Sequence, residues 1–84
     1  MRIRLFILED SKCEPEIFTS AKEAYDLMKV IFIEYGKRYC FDSEDIEECC
    51  KELYESYLTY EINNYFGSYL GERELTCYKK IVDI

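Results

Sequence analysis

Six carboxylates on one short stretch, Glu44, Asp45, Glu47, Glu48, Glu52 and Glu55, have the type and spacing to do chemistry, and that chemistry is the recognition of positive charge. The segment Asp42 to Glu61 (DSEDIEECCKELYESYLTYE) holds eight acids against one base, Lys51, a net of −7. The other residues hold ten acids and ten bases, which cancel, so the whole net charge of the 84-residue chain sits in this segment. An acidic balance disfavours direct contact with DNA, RNA or an anionic membrane surface, whose phosphates repel carboxylates. It favours a basic protein surface as partner.

Other chemistries find no matching pattern. Histidine is absent, which removes the commonest general base and a usual zinc ligand. No Ser or Cys stands in a recognisable nucleophile motif, and Gly36, Gly67 and Gly71 form no phosphate-cradling loop. An EF-hand needs alternating loop oxygens, a glycine at the sixth position and a closing Glu, which DSEDIEE does not provide. Five cysteines (Cys13, Cys40, Cys49, Cys50, Cys77) are an odd number without C-x-x-C spacing. Cys49 and Cys50 are adjacent, so on a helix their side chains diverge by about 100° and do not readily share a metal or a disulfide. The expectation is a non-enzymatic protein with no cofactor or metal and with free thiols, as in a reducing cytosol. No apolar run approaches the ~18 residues of a membrane span, and MRIRLFIL is too short for a signal peptide.

The acids must be held by a helix. Stepping about 100° per residue, Ile46, Cys49, Cys50, Leu53, Tyr57 and Tyr60 share one direction, with Tyr54 and Leu58 beside them. Glu44, Glu48, Glu52 and Glu55 fall opposite, with Asp45 and Glu47 at the margins. Four residues of helix advance about 6 Å, so Glu44, Glu48 and Glu52 make a regular row. Ser43 reads as the N-cap, with acids in the first turns where the helix dipole favours them. Glu61 lies inside the apolar sector, so the helix ends or bends near Thr59 to Asn63, or a carboxylate is held beside the tyrosines.

The remaining chain must supply the support. Arg2 to Leu8 alternates Ile3, Leu5 and Ile7 against Arg2, Arg4, Phe6 and Leu8, a strand that is apolar enough on both faces to sit centrally. Cys13 to Phe18 can return beside it as a short edge strand, since Pro15 is tolerated only where no ladder hydrogen bond is needed. Ser20-x-x-Glu23 fits a capping box, and Ala21, Ala24, Leu27, Met28, Ile31 and Tyr35 then recur at helical spacing, with Gly36, Lys37 and Arg38 as a stop. Val30 and Ile33 fall on the far side of that stripe. Either VIFIEY is a strand, or the helix is covered on two sides, by the other helix or by a second subunit, and in the latter case Val30 and Ile33 are a homodimer contact. Asn63 to Arg73 has the glycine and asparagine of a loop, and Glu74 to Asp83 alternates as a final strand. A single α+β domain follows, residues 1–84, with a small antiparallel sheet in the order β-β-α-α-β and two helices packed on one face.

The run EIFTSAKEAYDLMK, a strand end entering a Ser-capped Ala/Glu helix, followed by an acidic second helix and a closing strand, resembles small phage-encoded proteins, among them acidic anti-CRISPR and other anti-defence inhibitors. The low-His, Lys/Glu/Ile/Tyr-rich composition is similar to that of proteins from AT-rich bacterial or phage genomes. The likeness covers most of the chain in pattern and rests on no specific motif, so no functional residue carries over from it. It implies a partial DNA mimic in the bacterial cytoplasm, occupying a basic, nucleic-acid-binding surface of an effector such as a Cas protein. Duplex DNA carries one charge per about 1.7 Å of axis, so one helix imitates it sparsely. Glu9, Asp10, Glu14 and Glu16, or a second subunit, would have to widen the acidic surface. Tyr54, Tyr65 and Tyr69 are the candidate aromatic anchors. The alternative expectation is a homo-oligomeric accessory protein of a phage or mobile element whose acidic helix is only solvated.

Overall fold

Two hairpins enclose a helical segment in the computed structural model, which describes residues 1–84. The order is β1 (Arg2–Asp10), β2 (Cys13–Phe18), α1 (Ala21–Arg38), α2 (Ser43–Leu58), the one-turn α3 (Tyr60–Asn63), β3 (Tyr65–Leu70) and β4 (Arg73–Asp83). The strands form one antiparallel sheet in the order β2-β1-β4-β3, with α1 and α2 packed on one face. The α+β class, the central β1 and the edge β2 agree with the sequence reading. No helix is long and apolar enough to cross a membrane.

Asn63 to Arg73 is not a loop. Tyr65–Leu70 pairs along its length with β4, from Tyr65 opposite Tyr78 to Leu70 opposite Arg73. The turn-forming residues there do three separate jobs. Asn64 adopts a left-handed φ of 65° and closes α3, and Gly71 (φ 60°) opens the tight connection between β3 and β4. Gly67 lies inside the strand, where an added Cβ would stand 2.5 Å from the Leu75 carbonyl oxygen. A glycine mid-strand marks this kind of close backbone approach.

The core occupies the space between the helices and one face of the sheet, with Met28, Phe32, Leu53, Phe66, Leu75 and Cys77 its largest fully buried side chains. On β1 the buried residues are Phe6 and Leu8, while Ile3, Leu5 and Ile7 point to the opposite, uncovered face. Residues Val30 to Tyr35 are helical. The buried stripe of α1 is turned from the expected one: Ala21, Ala24 and Met28 are joined by Tyr25, Phe32 and Gly36, and Leu27, Ile31 and Tyr35 are half-buried. Gly36 does not stop the helix, which runs on to Arg38. An added Cβ at Gly36 would lie 2.5 Å from Ile46 Cγ1, so this glycine sets how closely α2 crosses α1.

The caps differ by small steps from expectation. Ser20 Oγ accepts the Glu23 N–H at 3.4 Å, one half of the capping box. The N-cap of α2 is Asp42, not Ser43, which is the first helical residue. The Asp42 carbonyl accepts from the N–H groups of Asp45 and Ile46 at 3.1 and 3.2 Å, and the register of the apolar face is unaffected. At the other end the chain bends at Thr59, whose hydroxyl donates to the Ser56 carbonyl at 3.0 Å. Beyond the bend Glu61 reaches Arg4, with an oxygen 3.1 Å from its guanidinium, and stays beside Tyr60, so both sequence alternatives hold in part.

Candidate functional site

The acidic face of α2 is a solvated surface held by a dry underside. Cys49 and Leu53 are buried, and Ile46, Cys50 and Tyr57 are half-buried, which fixes the rotation of the helix. Glu44, Asp45, Glu47, Glu48, Glu52 and Glu55 are consequently all exposed. None of the six has a basic group within 4.0 Å: the four ion pairs of the protein are Arg2–Asp83, Arg4–Glu61, Lys22–Asp26 and Arg73–Asp10.

This arrangement opposes helix stability. The macrodipole favours Glu44 and Asp45 at the N-terminus, but no base occupies the last turn of α2, where one would help. Glu44–Glu48 and Glu48–Glu52 are like-charge pairs four residues apart, each unfavourable by about 0.2–0.5 kcal/mol. The packing of Cys49 and Leu53 must offset them.

The expected partner-binding residues are only partly brought together. Asp45, Glu48, Glu52 and Tyr69 line one groove of about 270 Å³ between α2 and the end of β3, with Phe41, Cys49, Leu70 and Gly71 completing its walls. Burial pushes the Cys49 thiol up to about 11, and its sulfur lies 3.7 Å from Ser68 Oγ, so it serves as a neutral floor. Gly71 leaves room for the Phe41 ring, whose Cζ would be 2.6 Å from an added Cβ. Phe41, Leu70 and Gly71 are not among the sequence candidates. The available signal for Phe41 is its place just before the N-cap with Ile46 five residues on, the spacing of a hydrophobic staple.

Glu44, Glu47 and Glu55 extend the acidic face beyond the groove. Tyr54 lies toward α1, its ring 6.2 Å from that of Tyr25. Tyr65 stands away from the acids, its ring 6.1 Å from Tyr78. The β1–β2 hairpin does not widen the surface either. Glu14 and Glu16 sit on β2, the sheet edge opposite β3, and Asp10 is held by Arg73. Val30 is 48% exposed on α1 and Ile33 is half-buried.

Two further surface depressions have similar volumes, about 280 Å³ each, one beside Tyr35 and Arg73 and one beside Glu9 and Glu74. All three fall just under the ~300–1,000 Å³ of small-molecule sites. No group of three or more potential metal ligands is assembled.

Fold and site together define a small α+β protein that displays most of its net charge on one helix. No protein family, curated protein or solved structure matches the chain.

Proposed function

We propose that this protein is a non-enzymatic inhibitor that occupies a basic, nucleic-acid-binding surface of a bacterial protein, an anti-defence protein directed at an effector such as a Cas nuclease. The observation that carries the reading is the confinement of the net charge of −7 to a segment whose six α2 carboxylates are exposed and unpaired. Solubility alone does not require acids stacked four residues apart against their own repulsion. A binding face does. In this reading the chain acts in the bacterial cytoplasm, and the groove of Asp45, Glu48, Glu52 and Tyr69 receives a lysine or arginine of the target, since carboxylates and an aromatic ring both attract such a cation.

The test measures inhibition of target cleavage by a panel of guide-loaded Cas nucleases, with capture from bacterial lysate at rising salt to find other targets. Glu48→Lys with Glu52→Lys takes the net charge from −7 to −3 and should abolish inhibition, and wild-type capture should weaken as screening shortens to about 3 Å at 1 M salt. Lys29→Glu with Lys37→Glu is the control of equal size elsewhere, preferred to Lys22, which Asp26 engages at 2.7 Å. Equal activity of the two double variants would make the acidic helix a solubility surface.

A second reading draws on the exposure of Val30: a homo-oligomeric accessory protein of a phage or mobile element, joined through Val30 and Ile33. Val30→Glu would then convert a dimer to a monomer without loss of helicity.

A further inference from the structure

We propose that the uncovered face of the sheet is a self-association surface on which a second copy of this chain stacks sheet to sheet, independently of any target bound by α2. An antiparallel sheet with one solvated face normally turns polar residues outward. Here Ile3 lies opposite Val82, Leu5 opposite Lys80, and Ile7 opposite both Tyr78 and Ile17, an apolar patch on three strands that runs unbroken along β1 and holds Lys80 within it on β4. None of these residues belongs to the core or packs against it. They are shielded only by their neighbours on the sheet.

Charge identifies the occupant. The patch holds one base, Lys80, and is bordered by two acids, Glu9 and Glu74, too few to select a strongly charged foreign surface. Their placement is self-complementary. Take the row Ile7–Tyr78 as centre: the next row on one side is Leu5–Lys80, and the next on the other is Glu9–Thr76. A two-fold axis across the strands at that centre carries Lys80 of each copy over Thr76 of the other, between its Glu9 and Glu74. The same rotation lays Leu5 over Glu9 and Val82 over Glu74, so in each half of the isologous interface one lysine reaches two carboxylates flanked by aliphatic side chains.

Long-range repulsion points the same way. The acidic helices lie on the far side of each sheet, so stacking the uncovered faces leaves them roughly 30 Å apart, given ~10 Å between sheets and ~10 Å for each helix layer. That exceeds three screening lengths of about 8 Å at physiological salt. Contact through the helix layer would instead oppose the two acidic faces. Strands of 9, 6, 6 and 11 residues, at ~3.3 Å per residue and ~4.8 Å apart, present about 500 Å² in plan, below the ~800 Å² of accessible surface that each partner buries in a standard interface but of the same order.

The experiment is sedimentation equilibrium of the full chain across a wide concentration range, with circular dichroism of every variant. The wild type should approach twice its 10.2 kDa, and Tyr78→Glu should remain monomeric with unchanged helicity. Lys80→Glu, at an exposed position that folding does not need, should weaken association at least about tenfold, and adding Glu9→Lys and Glu74→Lys should restore it. A wild type that stays at 10.2 kDa at the highest concentration overturns the proposal. So does a dimer that survives Tyr78→Glu and Lys80→Glu but dissociates on Val30→Glu.

Discussion

The carboxylates of α2 and the carboxylate of Asp10 are the same chemistry in opposite surroundings. Asp10 is 6% exposed at its side chain and receives two hydrogen bonds from Arg73, Nε at 3.0 Å and Nη2 at 2.6 Å. The guanidinium also lies 5.5 Å from the Tyr35 ring, so the pair ties the end of β1 to the start of β4 and to α1. The α2 acids have no protein partner. The difference teaches that charge in this chain is either enclosed and structural or exposed and available, and that burial decides which.

Breaking the enclosed pair should have the largest effect. Arg73→Ala removes both guanidinium hydrogen bonds and leaves Asp10 only the Lys12 backbone N–H, which costs about 2 kcal/mol, the range of hydrogen bonds to a charged group. In an 84-residue domain that lowers the melting temperature by about 10 °C. Differential scanning calorimetry at neutral pH measures it. A loss as small as that of a surface substitution would place the pair in the solvated class.

The same pair sets an acid limit. Burial works against an ionised Asp10, but the hydrogen bond from Arg73 and the Lys12 backbone N–H outweigh it and hold the carboxyl below its ordinary 3.8. A folded carboxyl more acidic than the unfolded one contributes its stability fully above the ordinary value and loses it as pH falls through the lower folded value. Wild-type stability should therefore drop more steeply below about pH 4 than that of Asp10→Asn, which starts lower and changes less. Urea unfolding from pH 6 down to pH 2.5 distinguishes the two slopes.

On the exposed side the sign reverses. Glu48→Lys removes two like-charge contacts and creates attractive ones with Glu44 and Glu52, so stability should rise by about 0.5 kcal/mol while binding to a basic target weakens. A variant more stable and less active would separate the two roles of charge. Smallest of all is Arg4→Ala, which removes the exposed contact to Glu61: the acidic shift of Glu61 comes first from its hydrogen bond with Tyr60 and only then from Arg4 and Lys79. Its melting temperature should match that of wild type.

Local order and composition determined much of this protein from sequence alone: the confinement of charge, the apolar face of α2, the Ser20 cap, the central β1 and the edge position of β2. Each depends on near neighbours or on a count, which the chain carries before it folds. The tertiary structure decided what depends on distant partners. Alternation along β1 offers two faces with period two, and only the packing of α1 and α2 chose Phe6 and Leu8 for the core over Ile3, Leu5 and Ile7. Tyr65–Leu70 has glycine-rich local chemistry and becomes a strand because β4 supplies its hydrogen bonds. The groove joins Asp45, Glu48 and Glu52 to Tyr69 from across the α2–β3 connection, while Tyr65, at the far end of the same strand, stands beside Tyr78 instead. Asp10 reads as one more acid beside a turn until folding brings Arg73, 63 residues away, into hydrogen-bonding distance. Periodicity states which residues share a face, and only close packing states what that face meets.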